Sequence, residues 1–399
     1  MKLNALTFTI CFSMLLNSVT HGLFFMGFPL IGKSMNISIT ETGFILSVSS
    51  LFMMSAVPFW GNYIDRNGPI KPIKFSIVSY GFCLVLTGLS FKYHNIFLQI
   101  FYVLLSIRII QAILTAGFLP SAQTYISLNS SIQKRTSCMG IICGLFGIGT
   151  IISGFIIMFL NKIAYINTIL ILGILNIFML FLYNKYFKNI LKEEKQKEKF
   201  NLNEYTNTVK MIFPCVLTTP VFITIYGFLQ QTIGVRFQTL LSLSTSEALK
   251  YTGFLMMITT LFMSLGQIVL FFIKIKNPKK VLYAGMFLTL LGLIMLMSAK
   301  VVFYINFSMI VIGIGMSLVF PSNLALISFN VSKEKLGIAC SLNVIGQSLG
   351  LTIGPFISSI LYQKNYNLPI IFSIGLIVIL VIILKINASI DYNKLQHNH

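Results

Sequence analysis

The stretch TGFILSVSSLFM, from Thr42 to Met53, returns as TGFLMMITTLFM from Thr252 to Met263, an offset of 210 residues. Two further pairs follow in the same order. FLPSAQTYIS at 118–127, with Pro120, matches VFPSNLALIS at 319–328, with Pro321, and Gly149 with Ser153–Gly154 matches Gly350 with Gly354–Pro355, both at an offset of 201. One short match is ordinary, but three pairs in register mark an internal repeat. Two parallel halves of apolar segments are the architecture of alternating-access transport, with the substrate site between the halves near the membrane midplane.

Composition supports a membrane chain. Of the 399 residues, 56% are apolar and 10% charged, against about 45–50% and 25% in soluble proteins. That excludes a soluble enzyme, a disordered chain and a collagen-like fibre. Apolar runs lie near 5–31, 41–61, 73–92, 96–127, 136–160, 164–186, 210–235, 248–273, 280–299, 302–328, 336–362 and 367–386. Their length suits helices of about 20 residues, and they lack the alternation of barrel strands. The fold class expected is an all-α membrane protein of twelve transmembrane helices in two pseudo-symmetric six-helix halves. Residues 1–186 form the first half, 187–209 a charged cytoplasmic loop, 210–386 the second half and 387–399 a cytoplasmic tail. The first run is too long for a signal-peptide core and reads as a span.

With the N-terminus inside, the inner segments hold 21 of the 29 Lys and Arg. The outer segments hold 7, namely Lys33, Lys92, Lys162, Arg236, Lys250, Lys300 and Lys364, which leaves Arg108 alone within a span. This bias puts both termini in the cytoplasm of a multi-pass cell-membrane protein. The formal charge of +20 therefore serves lipid anchoring rather than nucleic acid. The six cysteines show no paired or His-linked spacing, so neither disulfide framework nor metal site is expected.

After the second span the chain reads Gly61-Asn62-Tyr63-Ile64-Asp65-Arg66-Asn67-Gly68-Pro69-Ile70-Lys71. Gly61, Asp65, Arg66 and Gly68 match the loop signature of the major facilitator superfamily, and the chain resembles a member of it. Pro69 and Ile70 stand where the signature has basic residues. The resemblance implies a conformational latch in which Asp65 faces a helix N-terminus of the other half and Gly61 lets helices approach closely. Arg108 and Gln111 in the fourth span resemble the Arg-x-x-Gln signature of the proton-driven drug and metabolite antiporters, with Ala112 in place of its Gly. Gly140, Gly144, Gly147, Gly149 and Gly154 resemble that branch's glycine-rich span. The Gly-Pro of that motif falls instead in the eleventh span, as Gly354–Pro355 after Gly350. Glycines at four-residue spacing pack helices closely.

Charge inside the membrane narrows the chemistry. None of the nine acidic residues lies at a span centre; Glu41 and Glu247 begin spans two and eight. Arg108 lies about eleven residues into its span, so at ~1.5 Å per residue it reaches the middle of a ~30 Å core, where burial costs at least about 2.5–3.5 kcal/mol. His21 and Asn17, four residues apart, share one helix face at similar depth, and His21 titrates near neutrality. Arg108, His21, Asn17 and Gln111 are the candidates for substrate binding or proton coupling. Gln230, Gln231, Gln267, Asn323, Asn343 and Gln347 read as helix glue. No hydrolase, protease or phosphate-loop motif is present, and no cofactor or metal is expected. The function expected is proton-coupled export of a small organic molecule, leaning to an anionic or zwitterionic metabolite such as a metallophore or siderophore. General multidrug efflux, nutrient import and a non-transporting membrane sensor are the alternatives. The partners are the substrate, protons and the bilayer, not nucleic acid, with a monomeric chain.

Overall fold

The computed structural model describes residues 5–96, 99–128, 135–186, 202–272, 277–330 and 336–386. The described residues form thirteen α-helices: α1 Ala5–Lys33, α2 Ile39–Asn67, α3 Ile70–Lys92, α4 Ile100–Thr115, α5 Phe118–Leu128, α6 Arg135–Met158, α7 Lys162–Tyr186, α8 Leu202–Leu240, α9 Thr245–Phe272, α10 Pro278–Ser298, α11 Val302–Phe329, α12 Leu336–Lys364 and α13 Leu368–Ile386. Helices α4 and α5 make one crossing. Ten crossings are long and apolar enough to span a membrane among the described residues. With α6 and α12, of 24 and 29 residues, the set of twelve is complete. The expected loop 187–209 gives way to helix at Leu202; its remaining residues and the tail 387–399 lie outside the described residues.

The distribution of polarity is that of a chain folded in lipid. Phe59, Phe159, Ile163 and Phe303 stand 68–71% exposed, while Thr20, Thr218, Thr259, Asn176 and Asn323 are buried. Lipid supplies no hydrogen bonds, so hydroxyls inside the bundle return to their own backbone. Thr20 donates to the Leu16 carbonyl at 2.8 Å and Thr289 to that of Gly285 at 2.9 Å.

Helix ends follow local chemistry. Gly68, at φ 78°, closes α2 by donating its N–H to the Ile64 carbonyl. Such a φ suits glycine, and Pro69 then leads into α3. Pro120 lacks an N–H and crowds the carbonyl four residues earlier, which accounts for the break between α4 and α5 at Ala116–Gly117. Its repeat counterpart Pro321 is accommodated within α11.

The turns α1–α2 and α8–α9 repeat one device at an offset of 206. Asn36 and Ser242 take positive φ, and the N–H groups of Ile37 and Leu243 donate back five residues, to Gly32 and Gln238. Each turn is followed by a capping box. Ser38 N donates to Glu41 Oε2 at 2.7 Å, and Ser244 N to Glu247 Oε2 at 2.9 Å. Glu41 and Glu247 are therefore helix caps.

The chain divides into two compact units. One comprises Met1–Glu198 with Phe237–Met257, the other Lys199–Arg236 with Ile258–His399. In the first, α1 packs on α6, where a Cβ on Gly149 would stand 3.0 Å from the Val19 nitrogen. There too Gly154 meets Gly253: a Cβ on Gly154 would lie 2.8 Å from the Gly253 oxygen. In the second, α12 packs on α8, where a Cβ on Gly350 would lie 2.8 Å from the Pro220 oxygen. The 201-residue repeat thus recurs as packing, with Gly149 and Gly350 each admitting a neighbouring backbone.

Candidate functional site

The candidate site lies within the first unit and is built on α1 and α4. Arg108 and Gln111 are three residues apart on α4 and so share a face. Arg108 Nη1 donates to Gln111 Oε1 at 2.8 Å. The guanidinium lies over the Phe24 ring of α1, 4.4 Å from its centroid. A cation on a desolvated ring gains about 2 kcal/mol, comparable with the insertion cost of a mid-membrane arginine, so the charge is tolerated without an acid. No carboxylate pairs with Arg108 among the described residues, and its Nε has no protein partner.

His21 stands one turn from Phe24, between Phe25 and Phe146, with ring centroids at 4.3 and 5.4 Å. It lies within electrostatic reach of Arg108. Tyr80 and Cys83 of α3 and Tyr165 of α7 are within the same reach. Asn17 lies one turn before His21, its backbone oxygen 3.5 Å from the Tyr80 hydroxyl. Arg108 and Gln111 are thus joined directly, and His21 and Asn17 border them. Each of the four carries a buried polar atom without a protein partner: Asn17 Oδ1, His21 Nδ1, Arg108 Nε and Gln111 Nε2. Buried polar atoms are seldom left unpaired, and four such atoms make this a polar cluster with hydrogen-bonding capacity left for water or ligand.

Beyond Phe24, along α1, the core closes. Phe24, Phe28, Phe91 and Tyr165 form a fully buried aromatic cluster with centroid spacings of 5.5, 5.8 and 6.4 Å. The Tyr165 hydroxyl donates to the Leu23 carbonyl at 3.0 Å. Sequence reasoning missed Phe24, Tyr80, Phe146 and Tyr165. Nothing separates Phe24 from the other 35 phenylalanines except its place one turn from His21.

Arg236, assigned from sequence to an outer loop, lies instead inside α8 and is 3% exposed. Its Nη1 donates to the Tyr366 carbonyl at 3.0 Å and to Asn367 Oδ1, and its Nη2 to the Leu296 and Met297 carbonyls at 3.3 and 3.4 Å. It also stacks on Tyr366. The two intramembrane arginines differ in kind: Arg236 is saturated by the fold, and Arg108 is not.

The side chains of Asp65 and Arg66, and the surroundings of Gly140, lie outside the described residues. No described atom comes within 4 Å of a Cβ at Gly61 or Gly144. Gly149 and Gly350 stand close against the backbones of α1 and α8; a Cβ on Gly354, beside Pro355, would lie 3.2 Å from the Thr224 oxygen. The Gly147 carbonyl accepts from the Thr150 hydroxyl at 2.7 Å. Asn323 donates to the Cys215 carbonyl at 2.9 Å and to Thr219 Oγ1 at 3.0 Å, and Thr219 donates to Asn343. These are helix-to-helix links. Gln230 and Gln231 are buried, but Gln267 and Gln347 are exposed.

The sequence profile of the Major Facilitator Superfamily matches residues 10–276 and 241–390. Quinolone resistance protein NorA of Staphylococcus aureus (strain MSSA476) is 24% identical over 407 residues, covering 97% of each chain. Multidrug resistance protein 2 of Bacillus subtilis (strain 168) is 22% identical over 374 residues, covering 88% of this chain and 87% of its own. Two solved structures share the fold. A bacterial homolog of the human lysosomal transporter Spinster has TM-score 0.75 at 13% identity, covering 97% of both chains. The nucleoside transporter NupG has TM-score 0.74 at 12% identity, covering 95% of this chain and 98% of its own.

Proposed function

The chain belongs to the Major Facilitator Superfamily and is a multi-pass membrane transporter, and from that premise we propose that it exports amphiphilic small molecules bearing a carboxylate, driven by the proton gradient. The observation that carries this reading is the Arg108 guanidinium, held at mid-membrane by one carboxamide and one ring, with no acid beside it among the described residues. A planar fork with donors to offer favours a carboxylate over any other common ligand group. The relatives named for quinolone and multidrug resistance support export of drug-like molecules. Quinolones and metal-chelating metabolites share the carboxylate that Arg108 would bind. The excess of basic residues in alternate loops supports placement in the cytoplasmic membrane with both termini inside.

His21 is the proposed proton carrier, since the capping geometry of Glu41 and Glu247 commits those carboxylates to helix ends. Wild-type cells expressing the protein should extrude a fluorescent quinolone until the proton gradient is collapsed. His21→Ala should flatten the pH dependence of that efflux. Efflux indifferent to the gradient would sink proton coupling; an unchanged pH profile in His21→Ala would sink the carrier assignment.

Asp65 is the proposed latch. Asp65→Asn should leave insertion intact while slowing transport about threefold to tenfold, the scale of a helix-terminus charge contact of ~1 kcal/mol. The check is transport normalised to inserted protein; an unaltered rate would leave Asp65 a turn residue.

General multidrug efflux, with recognition by apolar contact alone, is the second reading, and the relative named for multidrug resistance favours it. It differs in one respect: Arg108 would then be indifferent to substrate charge.

A further inference from the structure

Helix α1 carries polar residues at four-residue spacing: Thr9, Ser13, Asn17 and His21. Residues four apart lie nearly above one another, ~6 Å apart along the axis. The line is thus ~18 Å long, more than half of a ~30 Å hydrocarbon core. It is turned inward. Thr9 and Ser13 are buried at 2% and 0% exposure, whereas the adjoining Phe8 and Phe12 are exposed.

Ser13 differs from two hydroxyls of this helix that lie off the line. Ser18 and Thr20, off the line, donate to the Met14 and Leu16 carbonyls at 2.9 and 2.8 Å, the usual resort of a hydroxyl in an apolar setting. Ser13 Oγ, on the line, is buried and has no protein partner among the described residues, and the same is true of Asn17 Oδ1 and His21 Nδ1. A dry, unpaired polar atom costs about 1–3 kcal/mol. Three in succession on one face are tolerable only where water or a moving proton meets them.

The line has a direction. At one end is His21, the only histidine within a span. Past His21 the aromatic cluster of Phe24, Phe28, Phe91 and Tyr165 closes the core. At the other end α1 begins. The charged group that acts on His21 is Arg108 from α4, and the titratable groups that act in turn on Arg108 are Tyr80 and Cys83 from α3 and Tyr165 from α7. The described part of α6 offers Phe146, and α2 has no titratable residue at that depth.

We propose that Thr9, Ser13 and Asn17 form a one-sided proton path joining His21 to the membrane face at which α1 begins. The hydroxyls of Thr9 and Ser13 each accept a proton and release another, and Asn17 Oδ1 holds a water in line. Successive side chains on the line stand ~6 Å apart, beyond hydrogen-bond reach, so a water bridges each step and passes the proton on. Only O–H and N–H bonds change, and the proton comes to rest on the imidazole. The path rests on the proton-coupled reading above, and on the proposed orientation it opens to the cytoplasm.

The test uses purified full-length protein in liposomes with a fluorescent quinolone. Two rates are compared: uphill transport driven by an imposed pH gradient, and substrate-for-substrate exchange without one. In Thr9→Val/Ser13→Ala, uphill transport should fall about tenfold, the scale of one lost relay contact at ~1.4 kcal/mol, with exchange unchanged. Thr9→Ser, which keeps both hydroxyls, should retain both rates. Equal loss of both rates in the double variant would make these residues parts of the fold and overturn the path. Retention of both would overturn it as well. Wild-type liposomes without gradient-driven transport would overturn the function on which the path rests, a result visible before any variant is made.

Discussion

Arg108→Gln should abolish export of a carboxylate-bearing substrate while leaving the protein at least as stable as the wild type. A buried, hydrogen-bonded charge partner is worth about 2–5 kcal/mol when removed, which is about thirtyfold to several thousandfold in affinity. Arg108→Lys should lose about tenfold even though charge is kept, because an ammonium holds a carboxylate with fewer aligned bonds. A neutral substrate held by apolar contacts should be carried nearly as before. Stability should hold because Arg108 makes one protein hydrogen bond and one ring contact, and replacing a buried charge with a neutral group is often neutral or stabilising. The check is efflux of a quinolone and of its methyl ester at equal expression, with thermal unfolding of each variant. Equal losses for acid and ester would show that Arg108 holds helices rather than ligand, and general drug efflux would become the better account.

Arg236→Gln is expected to do the reverse. Its guanidinium satisfies the Leu296 and Met297 carbonyls near the end of α10, the Tyr366 carbonyl and the Asn367 side chain. These acceptors come from two places distant in sequence, and the cation also suits a helix C-terminus. A glutamine cannot reach all four. At about 1–3 kcal/mol per acceptor left unpaired, and with some relaxation, the loss should be about 3–5 kcal/mol. The melting temperature of the purified protein in detergent should drop by several degrees, and any transport defect should track the loss of folded protein. An unchanged melting temperature would show that water replaces these contacts at no penalty.

The fold was legible because the repeat and the apolar runs are written in composition and spacing. Thr42 and Thr252 lie in the corresponding helices α2 and α9, Gly149 and Gly350 pack against α1 and α8, and the run boundaries lie within a few residues of most helix ends. The site was legible only in part. Arg108, Gln111, His21 and Asn17 announce themselves as polar residues at apolar depth, but Phe24 does not, because its role comes from which ring the guanidinium overlies. Arg236 was misplaced because α8 outlasts its hydropathic run and because its acceptors lie 60 and 130 residues away along the chain. Ser-x-x-Glu at 38–41 and 244–247 was a capping signal in plain sight. Attention to charge had marked those glutamates only as the acids that begin spans two and eight.

The measurement that tests the account most directly is an experimental structure of the protein with a quinolone bound. The account places the ligand carboxylate about 2.8 Å from the Arg108 guanidinium, in bidentate contact, with the ligand's apolar body near Phe24 and His21. A ligand bound elsewhere, with Arg108 turned wholly to protein groups, would contradict it.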